Sequence, residues 1–254
     1  MKHKILILVL LFFGIFSCSR DSIISNNTID KNLNRQITGS SANDLLSDTT
    51  FKSMIIELVY AEGFEPTQAT INNFNSFIES LTNKPLGITI EKRSIPSPGK
   101  DIYTIEDIAN IEKEHRQYYN TQNQIAVWAY FSDGKSSSDS QQNNTVVLGN
   151  SYWNTSFVVF EKTVQDYSNS ISQSNRSTIE TTVINHEFGH ILGLTNFGTP
   201  LQSDHEDAAH PKHCNNASCL MYWETVSLTN LSNMGSAPQL GTQCKADLQA
   251  NGGK

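Results

Sequence analysis

The sequence predicts an α+β domain over residues 51–254, built on one mixed, twisted sheet with a long helix late in the chain and an irregular C-terminal subdomain. Three observations predict it. Apolar residues recur at helical spacing behind threonine caps, short β-branched and aromatic runs follow and precede a further helix, and beyond Gly193 neither period continues. No repeat and no second linker divides these roughly 200 residues, so one domain is expected.

The elements follow in chain order. From Thr67 to Asn83, Ile71, Phe74, Phe77, Ile78 and Leu81 recur at helical spacing behind Thr67, and Pro85 stops the run. Leu86 to Ile90 alternates as a strand, and Ser94 to Gly99 reads as turns. A second helix is expected from Thr104, where Thr104 and Asp107 form a capping box, to about Tyr119, with His115 structural on it. Ile125 to Phe131, Thr145 to Leu148 and Phe157 to Phe160 are three strand-like runs, the first two separated by a polar loop. The last helix is expected from Ser177, paired with Glu180 in a capping box, to about Leu194.

The N-terminus reads differently. Lys2 and Lys4, the apolar run from Ile5 to Phe16, and Ser17-Cys18 have the layout of a secretory signal over residues 1–17. That run is shorter than the about 20 apolar residues a spanning helix needs. Ile15-Phe16-Ser17-Cys18 resembles the bacterial lipobox, which implies cleavage before Cys18, acylation of that cysteine, and a lipid-anchored protein of the cell envelope, at the outer membrane or cell surface. An ordinary signal with an incidental cysteine is the alternative. Residues 19–50 are rich in Ser, Asn, Thr and Asp without apolar periodicity, so 18–50 is expected to be a flexible tether.

A net charge of −7 without clusters of Lys and Arg excludes a nucleic-acid partner. Of the four cysteines, Cys214, Cys219 and Cys244 remain once Cys18 is assigned to the anchor. An odd number in a compartment that permits disulfides leaves at least one thiol unpaired, metal-bound or joined to another chain. Nothing in the composition asks for an oligomer, and a monomer is expected.

The chemistry is carried by His186-Glu187-Phe188-Gly189-His190, an HExxH pattern inside the last helix. Residues four apart stand one above the other on a helix, so both imidazoles reach one zinc ion. Glu187 lies beside it, placed to take a proton from a zinc-bound water and return it to a leaving amine. With Gly193 three residues on and Met221 downstream, the segment resembles the metzincins, whose helix runs HExxHxxGxxH above a Met-containing turn. Here the slot of the third histidine holds Asn196, a poor zinc ligand.

His213-Cys214, with Cys219 and Met221 after it, resembles the archaemetzincin pattern. On that resemblance His213 is the third ligand and Met221 the Met-turn residue, with 194–212 an insertion. His205, beside carboxylates able to orient its ring, is the rival third ligand, and His210 is a loop residue. The same resemblance implies a second, structural zinc on four cysteines. That quartet is incomplete, because only Cys244 follows Met221, and a Cys214–Cys219 or Cys214–Cys244 disulfide is expected instead. Tyr222 is a candidate oxyanion contact, although the family's tyrosine stands two places after the Met. Phe157 to Phe160 falls where the family has its substrate-binding edge strand.

The function implied is zinc-dependent endopeptidase action on extended polypeptides, with one catalytic Zn2+ and Glu187 as general base. Alternatives are a surface-binding lipoprotein that keeps the fold without catalysis, motivated by Asn196, and hydrolysis of another bond on the same scaffold.

Overall fold

A computed structural model describes residues 29–140, 146–171, 176–227 and 234–254. The signal segment and Cys18 lie outside these residues. The main sheet has five strands in the order β2-β1-β4-β7-β6: β1 (Ser53–Ala61), β2 (Ile88–Ile95), β4 (Gln124–Phe131), β7 (Ser156–Val159) and β6 (Gly149–Trp153). All neighbours are parallel except β6, which runs antiparallel to β7 at the sheet's end. β3 (Ile102–Tyr103) and β5 (Lys135–Ser136) make a small parallel pair beside it.

Side chains alternate across the sheet, and each face is buried. Met54, Ile56, Leu58, Val127, Ala129, Phe131, Phe157 and Val159 join the larger core, with α2 (Gln68–Leu81) and α5 (Arg176–Ile191) over them. Val59, Trp128, Tyr130, Val158 and Phe160 point the other way and pack with Ile108 and Ile111 of α3 (Ile105–His115). β1 is therefore apolar almost throughout rather than alternating, as a central parallel strand is. Its one acid, Glu57, is fully buried, paired with Arg93 and accepting from the backbone N–H groups of Gln117 and Tyr118.

The fold class agrees with the sequence; several boundaries differ. β2 starts at Ile88 and continues to Ile95, so only the later part of the expected turn region turns. The Thr104–Asp107 capping box is present, but α3 ends at His115. Residues 146–148 are outside any strand, and the strand expected at 145–148 lies at 149–153. The expected Ser177–Glu180 capping box does not form. Glu180 instead accepts from Thr67 and Thr70 at the start of α2 and from Arg176, because burial demands more donors than one cap supplies.

The largest correction concerns residues 29–50 of the expected tether; residues 18–28 lie outside the described ones. From residue 29 the chain is folded against the body, with a 3-10 turn at Lys31–Asn34 and α1 at Ala42–Leu46. Leu45 and Leu46 are fully buried in the larger core. Asn34 donates to Asn120, Ala126 O and Thr155, and Asn154 donates to Leu33 O and Ser41. Polar composition hid this segment, since its anchoring comes from side-chain amides. No described helix is long and apolar enough to cross a membrane.

Candidate metal centre

Helix α5 is buried from Ile179 onward, which fixes the direction of each side chain on it. Phe188 makes edge-to-face contacts with Phe74, Phe77 and Phe157, tying the helix to α2 and the sheet. The turn carrying Phe188 therefore cannot rotate without breaking the core. On the opposite side it presents His186, Glu187 and His190 to a cleft of about 470 Å³.

After Ile191 the chain leaves the helix at Gly193, whose φ of 80° is left-handed. A Cβ there would meet Thr199 N at 2.5 Å, so both conformation and space require glycine. Asn196, in the slot where the family has its third histidine, is also left-handed, at φ 57°. Its amide donates to Glu206, whose other oxygen accepts from Lys212 N, while Lys212 Nζ donates to Asn196 O. Asn196 thus belongs to a clasp that folds residues 206–212 back toward α5 and delivers His213 to the cleft.

The structure brings His186, His190 and His213 together, with one ring nitrogen of each within 4.8 Å of the others. His205 is not among them: it is fully buried elsewhere, bonded to Asp247 of the C-terminal helix α6 (Thr242–Ala250). Of the two candidates, His213 is the one placed beside His186 and His190, while Asp247 holds the His205 ring away from them.

The donor chemistry fits zinc. The Nε2 atoms of His186 and His190 are 3.2 Å apart, against the about 3.3 Å of two imidazole nitrogens on one tetrahedral zinc with bonds near 2.05 Å. His186 Nδ1 donates to Leu220 O and His213 Nδ1 to Pro211 O, leaving their Nε2 lone pairs free to face the third ring. Burial, then the neighbouring imidazoles, pushes His186 down to about 4 and His190 well below the usual histidine range. Neutral imidazole is the ligating form. Met221 lies beneath Gly189, where an added Cβ would come within 2.4 Å of its sulfur.

Glu187 is almost fully buried beside these histidines, and burial pushes its carboxyl up to about 8 against the opposing hydrogen bond from Ser151. Ser151 Oγ is 2.9 Å from Glu187 Oε2 and 2.8 Å from its backbone carbonyl. Ser151 sits on β6, so the edge strand of the sheet orients the acid. The edge is β6; the expected edge run, Phe157 to Phe160, is instead an interior strand between β4 and β6. Sequence reasoning missed Ser151, and a lone serine in a short strand gives no signal. Tyr222 does not line the cleft, whereas Phe197, Lys212 and Val226 do.

The expected disulfides are not formed: Cys214, Cys219 and Cys244 are free and buried. A second His/Cys group able to hold a metal, His205 with Cys214 and Cys244, lies among them.

No sequence family and no curated protein matches this chain. Among solved structures, archaemetzincin from Methanopyrus kandleri is similar at TM-score 0.55 and 15% identity, covering 79% of this chain and 96% of that one. A zinc-dependent peptidase from Methanocorpusculum labreanum matches at TM-score 0.48 and 14% identity, over 76% of this chain and 99% of that one. Metalloproteinase-II from Bacteroides fragilis matches at 0.41 and 15%, over 89% and 58%. The first likeness establishes a zincin-type fold of the archaemetzincin kind.

Proposed function

We propose that the protein is a zinc metalloendopeptidase in which His186, His190 and His213 hold one catalytic zinc ion and Glu187 is the general base. One observation carries the reading: three neutral imidazoles converge beside a buried, hydroxyl-oriented carboxylate at the wall of a cleft bounded by a sheet edge. Zinc bound there supplies an acidified water and a polarised scissile carbonyl. The Glu187 carboxyl, which burial raises to about 8, would ionise at neutral pH beside a cation held by the three rings.

Glu187 takes the proton of the attacking water and passes it to the leaving amine, so one carboxyl serves as base and then acid. Ser151 holds Oε2 through both transfers and keeps the second oxygen free for the reacting proton. Gly149 and Asn150 of β6 line the cleft, and β6 pairs on one side only with a described strand. An extended polypeptide adding along that edge presents its carbonyl to the histidines. Beside the edge strand the cleft offers the substrate apolar wall from Val146, Leu148, Phe197 and Val226, with Lys212 its one cationic side chain among the described residues apart from the histidines.

The anchor reading is part of the same proposal: acylated Cys18 holds the enzyme at the cell envelope, the membrane is met only through that lipid, and the chain works as a monomer. The sequence of residues 5–18 supports it. The test of function is cleavage of casein, gelatin and a quenched-peptide library by wild type and Glu187→Gln. The variant is expected to retain zinc and lose at least about 10³-fold in kcat/KM. Zinc-loaded wild type that cuts none of these substrates favours the binding-protein alternative.

A further inference from the structure

Cys214 and Cys244 meet His205, and Cys219 meets Cys244, in a cluster separate from the three catalytic-site histidines. The four-cysteine zinc site implied by the family resemblance does not fit this chain, which has no fourth cysteine there. We propose that His205 replaces it, so that Cys214, Cys219, Cys244 and His205 form a second, closed zinc site with structural purpose. It rests on different residues from the catalytic reading and stands or falls separately.

His205, Cys214 and Cys244 present one ligand atom each within 4.8 Å of one another, and Cys219 stands beside Cys244 as the fourth ligand, closing onto the ion by a small shift of its side chain. Two thiolate sulfurs on one zinc stand about 3.8 Å apart, and a sulfur and an imidazole nitrogen about 3.6 Å, from bonds of about 2.3 and 2.05 Å. Here Cys219 Sγ lies 3.6 Å from Cys244 Sγ, and His205 Nδ1 lies 3.4 Å from Cys214 Sγ and 4.0 Å from Cys244 Sγ. All four residues are buried.

The ring is oriented for ligation. Asp247, one helical turn after Cys244, accepts from His205 Nε2 at 2.7 Å, which leaves the Nδ1 lone pair pointing at the sulfurs. The other Asp247 oxygen accepts from Gln202 N, so the aspartate is itself fixed. Cys219 Sγ receives the N–H groups of Met221 at 3.4 Å and Gly241 at 3.2 Å, donors that suit a thiolate. Apart from sulfur–sulfur contact, a buried trio of neutral thiols offers these groups little.

The placement gives the site its purpose. Cys214 directly follows His213, and Cys219 directly precedes Leu220, whose carbonyl sets the His186 tautomer. Cys214 N also donates to Met221 O at 2.7 Å. A metal joining both cysteines to α6 therefore fixes the loop ligand and the floor of the catalytic cleft together, and supplies the cross-link that a disulfide was expected to give.

The test is zinc content and zinc-edge X-ray absorption on the full chain purified without reductant or chelator. The expected result is a zinc with three sulfur neighbours and one nitrogen, still present in His213→Ala, which loses only the nitrogen-ligated zinc. Cys244→Ser is expected to lose the sulfur-ligated ion. Because that variant risks misfolding, His205→Cys is the second arm: it is expected to keep the ion and raise its sulfur count to four. A chain lighter by two hydrogens than the all-thiol mass, showing a disulfide, would overturn the proposal. So would wild-type zinc without sulfur neighbours, or a His205→Cys spectrum unchanged from wild type.

Discussion

At the scale of single residues, the site depends on side chains that never touch the reacting atoms. Glu206 bridges Asn196 and Lys212, and through them it sets where His213 stands. Glu206→Ala should weaken zinc binding at the histidine cluster about 10- to 100-fold, as loss of a ligand-orienting partner does, with a smaller effect on kcat of fully loaded enzyme. Competition with a chelator measures this. Gly193→Ala forces a left-handed alanine against Thr199 and should cost at least about 1–2 kcal/mol in chemical denaturation. His186, Glu187, His190 and Gly193 were legible in the sequence because helix spacing and a tight turn dictate residue type locally. The choice between His213 and His205 was not, since it rests on Asp247, which is 42 residues from His205.

At the scale of elements, the N-terminal segment acts as a brace. Asn34 reaches Ala126 on β4 and Thr155 beside β7, and Thr38 donates to Ser151 O on the strand that orients Glu187. Truncation to residue 51 should abolish cooperative folding or lower the melting temperature sharply, whereas a mere tether would be dispensable. Asn34→Ala alone, which strands several buried polar groups, should cost about 1–3 kcal/mol. Calorimetry of the two variants distinguishes brace from tether. The helices α2 and α3 were readable from caps and spacing, and β4 from its apolar and aromatic run, but β1 was not, because a buried acid, Glu57, interrupts its run and the groups that satisfy it, Arg93 and the backbone at 117–118, lie far along the chain. α6 escaped for a similar reason: its burial is mostly Cys244, Asp247 and Leu248, too few apolar residues for a helical stripe.

At the scale of the whole molecule, α2, α4 (Glu161–Ile171) and α5 are tied at one end through Arg176, which bonds both Glu161 and Glu180. Both acids are fully buried, and removing Arg176 takes the ion-pair partner from each, leaving Glu180 its Thr67 and Thr70 donors, so Arg176→Ala should destabilise by about 3–5 kcal/mol. Burial, then the nearby Glu180, holds the Glu161 carboxyl well above its ordinary value. The folded state therefore binds that proton more tightly than the unfolded chain, and stability from it is full below about pH 4.5 and lost as pH rises toward the folded pKa. Melting curves of Glu161→Gln between pH 5 and 8 should be flatter than those of wild type. The fold class was readable from element order alone, whereas such cross-helix ties were not, because no local pattern announces them.

The measurement that tests the account most directly is zinc content of purified wild type, His213→Ala and Asn196→Ala, with folding checked by circular dichroism. The account predicts that His213→Ala loses one equivalent of zinc together with all peptide cleavage, while Asn196→Ala keeps the ion with reduced affinity. Unchanged zinc in folded His213→Ala, or complete loss in Asn196→Ala with His213 intact, would contradict a centre built from His186, His190 and His213.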